Sequence, residues 1–91
     1  MNDEIIYREI DLGQKHKPTG KTKHYRGAGE LPKPAHLKIV RYSGDPGYLL
    51  LYLDKDGNEM TDTYHETLED ALEQANWEFG IEAEEWKIIN L

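Results

Sequence analysis

The stretch from Thr67 to Gly80 carries both ends and one face of an α-helix, and no other stretch of the chain does. Thr67 has the side-chain oxygen of an N-cap, Asp70 stands three residues on in a capping-box arrangement, and Glu69 lies near the positive end of the helix dipole. Leu68, Ala71, Leu72, Ala75 and Phe79 recur at i, i+3, i+4, i+7 and i+11, which puts them on one stripe. Gly80 supplies a left-handed C′ residue, and Ile81 supplies the apolar contact that follows it. A single helix buries one stripe and needs a sheet to bury it against.

Strands for that sheet are legible upstream. Leu37 to Tyr42 and Tyr48 to Leu53 are rich in Leu, Ile, Val and Tyr and are separated by Ser43-Gly44-Asp45-Pro46-Gly47, a turn sequence, so they predict a hairpin. A second hairpin follows through Asp54-Lys55-Asp56-Gly57-Asn58 into Glu59 to His65. With Asp54 facing Asn58, the register pairs Tyr52 with Met60 and Tyr48 with Tyr64 on one face. Leu49, Leu51 and Leu53 then share the other face with Thr61 and Thr63, and a slip of one residue exchanges the two sets. Trp86 to Leu91 reads as a short final strand. Ile5, Ile6, Tyr7 and Ile10 give residues 1–11 the composition of an N-terminal strand. The fold class is α+β: a small, mostly antiparallel sheet of three to five strands with one helix, about 67–80, on one face.

Charge divides the chain. Residues 1–41 hold nine bases and five acids, whereas residues 42–91 hold two bases and thirteen acids, within a net charge of −7. Leu, Ile, Val and Phe make up only 19 of 91 residues, at the margin of what supports a core in a charged chain. Between Leu12 and Gly29 there is no acid and no apolar period. Residues 12–36 are therefore expected to be a flexible basic arm, with the folded domain spanning 37–91. The chain has no cysteine, which excludes disulfides, thiol nucleophiles and Cys-based zinc sites. With no signal-type or long apolar run, the reading is a cytoplasmic protein without membrane attachment.

Sequence motifs for catalysis or metal binding fail on spacing. Gly20-Lys21-Thr22 matches the end of a phosphate loop, but position 15, where the loop requires glycine, is Lys15. Asp54, Asp56 and Asn58 occupy positions 1, 3 and 5 of a calcium-loop pattern. Its glycine falls at the wrong position, and His65 stands where the bidentate Glu belongs, so a β-turn accounts for them. His65, beside Glu66 and near Asp62, is the one histidine placed to titrate or hold a metal among ordered carboxylates, and a plain surface role is the more usual account of such a residue. Glu69 and Glu73 belong to a solvated helix face. No catalytic residue, metal site or cofactor is assigned.

Trp77 projects about 180° from Leu68 on a helical wheel, among Asp70, Glu73 and Gln74, with Glu78 beside it. Either Trp86, Ile88 or the N-terminal strand folds over it, or it anchors a protein partner. Tyr48, Tyr52 and Tyr64 raise the same question, because one helix covers one side of a sheet. The thirteen carboxylates repel nucleic acid from the folded part and suit a basic protein partner. The alternative is a nucleic-acid accessory role through the arm, residues 12–29, using Lys15, Lys17, Lys21, Lys23 and Arg26. That arm could equally fold back on the acidic domain.

The run Asp56-Gly57-Asn58-Glu59, Thr63-Tyr64-His65, Leu68 to Ala75 and Trp77-Glu78-Phe79-Gly80 resembles a small uncharacterised bacterial domain family. Proteins similar to it include proposed immunity partners of bacterial toxins. The likeness covers about residues 47–88. It implies a non-enzymatic protein that works by binding, and it carries over no catalytic residue.

Overall fold

The computed structural model describes residues 3–20, 25–26 and 29–90. Its strands are β1 (Glu4–Asp11), β2 (Tyr25–Arg26), β3 (Gly29–Glu30), β4 (His36–Tyr42), β5 (Tyr48–Leu53), β6 (Glu59–His65) and β7 (Lys87–Ile88), and its helix is α1 (Leu68–Phe79). Five of the strands form one antiparallel sheet in the order β6-β5-β4-β1-β7, while β2 and β3 pair separately. The expected α+β architecture, one helix on one antiparallel sheet, is what the chain adopts.

α1 begins and ends as its sequence dictates. The Thr67 hydroxyl accepts the Asp70 amide at 3.1 Å, and Gly80 adopts φ 69°, returning its N–H to the Asn76 carbonyl at 2.8 Å. Ala71, Ala75 and Phe79 face the sheet, and the two alanines bring the helix close to it. They pack on Ile10, Leu37, Ile39, Leu50 and Tyr52, with Ile81 and Trp86 closing the end of the core. The opposite sheet face carries a smaller cluster of Val40, Leu51 and Leu53, rimmed by Ile6, Tyr42 and Leu49. The β5 run Leu50 to Leu53 is buried on both faces, which is why its sequence is apolar without alternation.

The second hairpin corrects the expected register. Its turn forms as anticipated: Asp54 donates its N–H to the Asn58 carbonyl at 2.9 Å, and Gly57 takes φ 83°. Leu53 pairs with Glu59, but Tyr52 then pairs with Thr61, so Met60 is an extra residue in β6. This bulge shifts every later pair by one. Tyr48 faces His65, Leu50 faces Thr63, and Tyr64 falls opposite Leu49 on the other side of the sheet. The three tyrosines Tyr48, Tyr52 and Tyr64 therefore do not share a face.

Two segments depart from a domain starting near residue 37. β1 lies between β4 and β7 and carries the core residue Ile10, so the N-terminal strand extends the sheet and leaves its faces as they were. Residues 12–20, expected as free arm, lie against the domain. The Leu12 amide bonds the Ala35 carbonyl at 2.8 Å, Leu12 packs on the core, and His16 is only 5% exposed. At the C-terminus, a 3₁₀ turn (Ala83–Glu85) buries Trp86, and the expected final strand is reduced to Lys87–Ile88 against Arg8 and Glu9.

Candidate functional site

The outward side of α1 is acidic. Asp70, Glu73 and Trp77, spaced i, i+3 and i+7, are exposed along it, with Trp77 41% accessible, and Glu66 and Glu69 are exposed beside them. None of these four carboxylates has a basic partner among the described residues. Glu69 and Asp70 sit in the first turn, where the helix dipole favours them.

The last turn of α1 has no base of its own. Thr19 reaches it from the basic segment, donating its N–H to the Glu78 carbonyl and its hydroxyl to the Trp77 carbonyl, both at 2.7 Å. These bonds satisfy carbonyls that a helix end leaves without internal partners. The same segment engages the 3₁₀ turn. Lys15 Nζ lies 2.7 Å and His16 Nε2 2.8 Å from Glu85 Oε1, and the Gly13 amide donates to His16 Nδ1 at 3.0 Å. With Nδ1 accepting, the proton of a neutral His16 is on Nε2 and donates to the carboxylate. The Lys15 ammonium, the Glu82 amide and His16 together hold the Glu85 carboxyl down to about 2. Of the expected basic arm, Lys15 thus folds back on the acidic domain, Lys17 is exposed, and Lys21 and Lys23 lie outside the described residues. Arg26 is described only as a backbone position of β2.

Five other expected contact residues lie off this face. Glu78 is 4% exposed, and its Oε1 accepts the Tyr52 hydroxyl and, at 2.8 Å, the side-chain amide of half-buried Gln74. A buried carboxylate requires such donors, so Glu78 and Gln74 belong to a packed polar network beneath the helix. Tyr52 is 1% exposed, and burial, together with its bond to Glu78, pushes its hydroxyl far above the ordinary tyrosine range. Tyr48 is half-buried on the helix side of the sheet. Tyr64 remains 58% exposed but lies on the opposite face, its ring over Gly47, where a Cβ would collide with the Tyr64 ring and hydroxyl.

His65 sits at the margin of the helix-side face, 2.8 Å from the Thr63 hydroxyl. Burial lowers its proton affinity, and the charges of Asp70 and Glu78 oppose that shift. Asp62 points to the other face, so the two do not converge. No cluster of three or more metal-ligating side chains occurs among the described residues. A histidine–carboxylate pair that the sequence reading missed joins β1 to β4, where His36 Nδ1 and Asp11 Oδ1 are 2.6 Å apart. It borders a cavity of 180 Å³ whose described lining, including Glu9 and Lys38, contains no hydroxyl or thiol nucleophile. Cross-strand register alone creates this pair, from residues 25 apart in sequence.

The fold and this face define a small α+β domain with an acidic, tryptophan-bearing helix surface. No protein-family model, curated protein or solved structure matches the chain. No helix among the described residues is long and apolar enough to cross a membrane.

Proposed function

We propose that the protein is a non-catalytic protein-binding module, of inhibitor or immunity type, that captures a basic protein through the outer face of α1. The observation that carries this reading is the row Asp70, Glu73 and Trp77, exposed together on a helix whose other side is fully committed to the sheet. Carboxylates that no base among the described residues pairs steer a positively charged surface toward the helix, and a tryptophan then supplies apolar contact area at low entropic cost. The resemblance to a small bacterial domain, whose similar proteins include proposed immunity partners, accords with this mode of action. Tyr52, Gln74 and Glu78 act beneath the face, as its support.

Affinity capture with nuclease treatment tests the reading, with Trp77→Ala and Glu73→Lys run beside the wild-type chain. The expected result is a stoichiometric basic protein, retained after nuclease and bound about thirtyfold more weakly by Trp77→Ala, the loss typical of an interface hot spot. Capture that survives both substitutions, or that disappears with nuclease, overturns it.

A further inference from the structure

Away from α1, a concavity of 420 Å³ opens beside the β4–β5 turn, with Ile5, Tyr7, Ser43 and Pro46 on its walls. Among its described lining residues Arg41 is the one base and Asp45 the one acid. The Arg41 guanidinium is held on two sides. Its carbon lies 5.5 Å from the centre of the Tyr48 ring, and its Nε donates to the Asp45 carbonyl at 3.0 Å. Tyr48 is itself braced by Tyr7, ring centres 5.3 Å apart and planes at 75°. The cation–π contact and the Nε bond hold the guanidinium in place while its two Nη groups take no partner among the described residues.

A fixed planar fork with unpaired N–H groups matches the two oxygens of a carboxylate, and neighbouring apolar walls match a hydrocarbon arm. Charge selects the class further. Asp45 is the one carboxylate among the described residues that line the concavity. With Arg41 the single cation of the lining and Asp45 beside it, the site offers a monoanion one partner and leaves the second charge of a phosphate without one. We infer that this concavity binds a small carboxylic acid bearing one apolar arm, with the carboxylate on the Nη side of Arg41 and the arm against Ile5, Tyr7 and Pro46. This site is independent of the α1 face.

The test is a titration of the isotope-labelled full chain with hydrocinnamate, with hydrocinnamyl alcohol and with inorganic phosphate. The readout is the Arg41 Nε–H and the Ser43 and Gly44 amide resonances. Hydrocinnamate is expected to move them saturably, with the alcohol and phosphate each at least about tenfold weaker, the loss expected when a charge-assisted bond is removed. Arg41→Lys keeps a cation over Tyr48 and so protects the fold, which unchanged β6 and α1 amides verify. It lacks the fork, and it should bind hydrocinnamate about tenfold more weakly. Equal binding of acid and alcohol, tighter binding of phosphate, undiminished binding by Arg41→Lys, or no saturable shift would each overturn the assignment.

Discussion

Replacing Tyr52 by Phe removes one hydroxyl from the polar network beneath α1. The ring fills the same space against Phe79, whose centre lies 6.2 Å away, so the substitution creates almost no cavity and removes only the hydroxyl. That hydroxyl donates to Glu78, a carboxylate buried to 4% exposure that also takes the Gln74 amide. A hydrogen bond to a charged group contributes about 1.5 to 3 kcal/mol net, and the acceptor left behind cannot regain water without opening the helix–sheet interface. A loss of about 2 kcal/mol follows, which at a urea slope of about 1 kcal/mol/M for a small domain is a midpoint shift of about 2 M with unchanged slope. The pH dependence has a defined sign. Because the folded-state affinity of Tyr52 for its proton is raised, its contribution is complete below the unfolded-state value near pH 10 and declines as pH rises beyond it. Urea unfolding of both proteins at neutral pH and above pH 10 should therefore show the difference between them narrowing at high pH. A midpoint shift below about 0.5 M, or a difference that stays constant with pH, would refute the claim that this hydroxyl serves a buried charge.

Two further substitutions separate surface from core and test the folded-back segment. Trp86→Ala should cost about 3 to 5 kcal/mol in chemical unfolding because Trp86 is buried in the main cluster, whereas Trp77→Ala should cost well under half of that; equal losses would mean that the outer face of α1 is covered. Glu85 has its proton affinity depressed by Lys15, the Glu82 amide and His16, so the stability it contributes is present above the ordinary glutamate range and is lost as pH falls toward about 2. Thermal unfolding of Glu85→Gln should accordingly show a shallower decline between pH 5 and pH 2 than the wild type, and parallel curves would show that the segment is not held through this carboxylate.

Local chemistry determined a definite part of this protein from the sequence alone. The Thr67 cap, the Gly80 terminator and the stripe Leu68 to Phe79 specify α1 because each acts within a turn or two of itself. The Asp54–Asn58 turn formed for the same reason: the Asp54 carboxylate accepts the Asp56 and Asn58 amides, both at 2.9 Å. Trp77 and its acidic neighbours Asp70 and Glu73 could be placed on the outer face from helical period, since a period fixes direction. The same period assigned Glu78 and Gln74 to that face, because it gives an angle and not the identity of what lies opposite.

What only the tertiary structure decided is long-range. The bulge at Met60 changes the partner of every later β6 residue, and no local preference marks it, so Tyr64 falls on the face opposite Tyr52, whereas the turn alone would keep the two together. β1 enters the sheet through pairing with β4 and β7, at the far end of the chain in the second case. The basic segment has too few apolar residues to pack by its own periodicity, yet it docks because the α1 carbonyls and Glu85 offer acceptors at the helix's negative end. Arg41 reads in sequence as one more charge on a strand. Only the β4–β5 register and the turn beside it bring its guanidinium over Tyr48, with no partner for its outer edge among the described residues. Such features depend on contacts between residues distant in sequence, whose energies exist only once the sheet has closed.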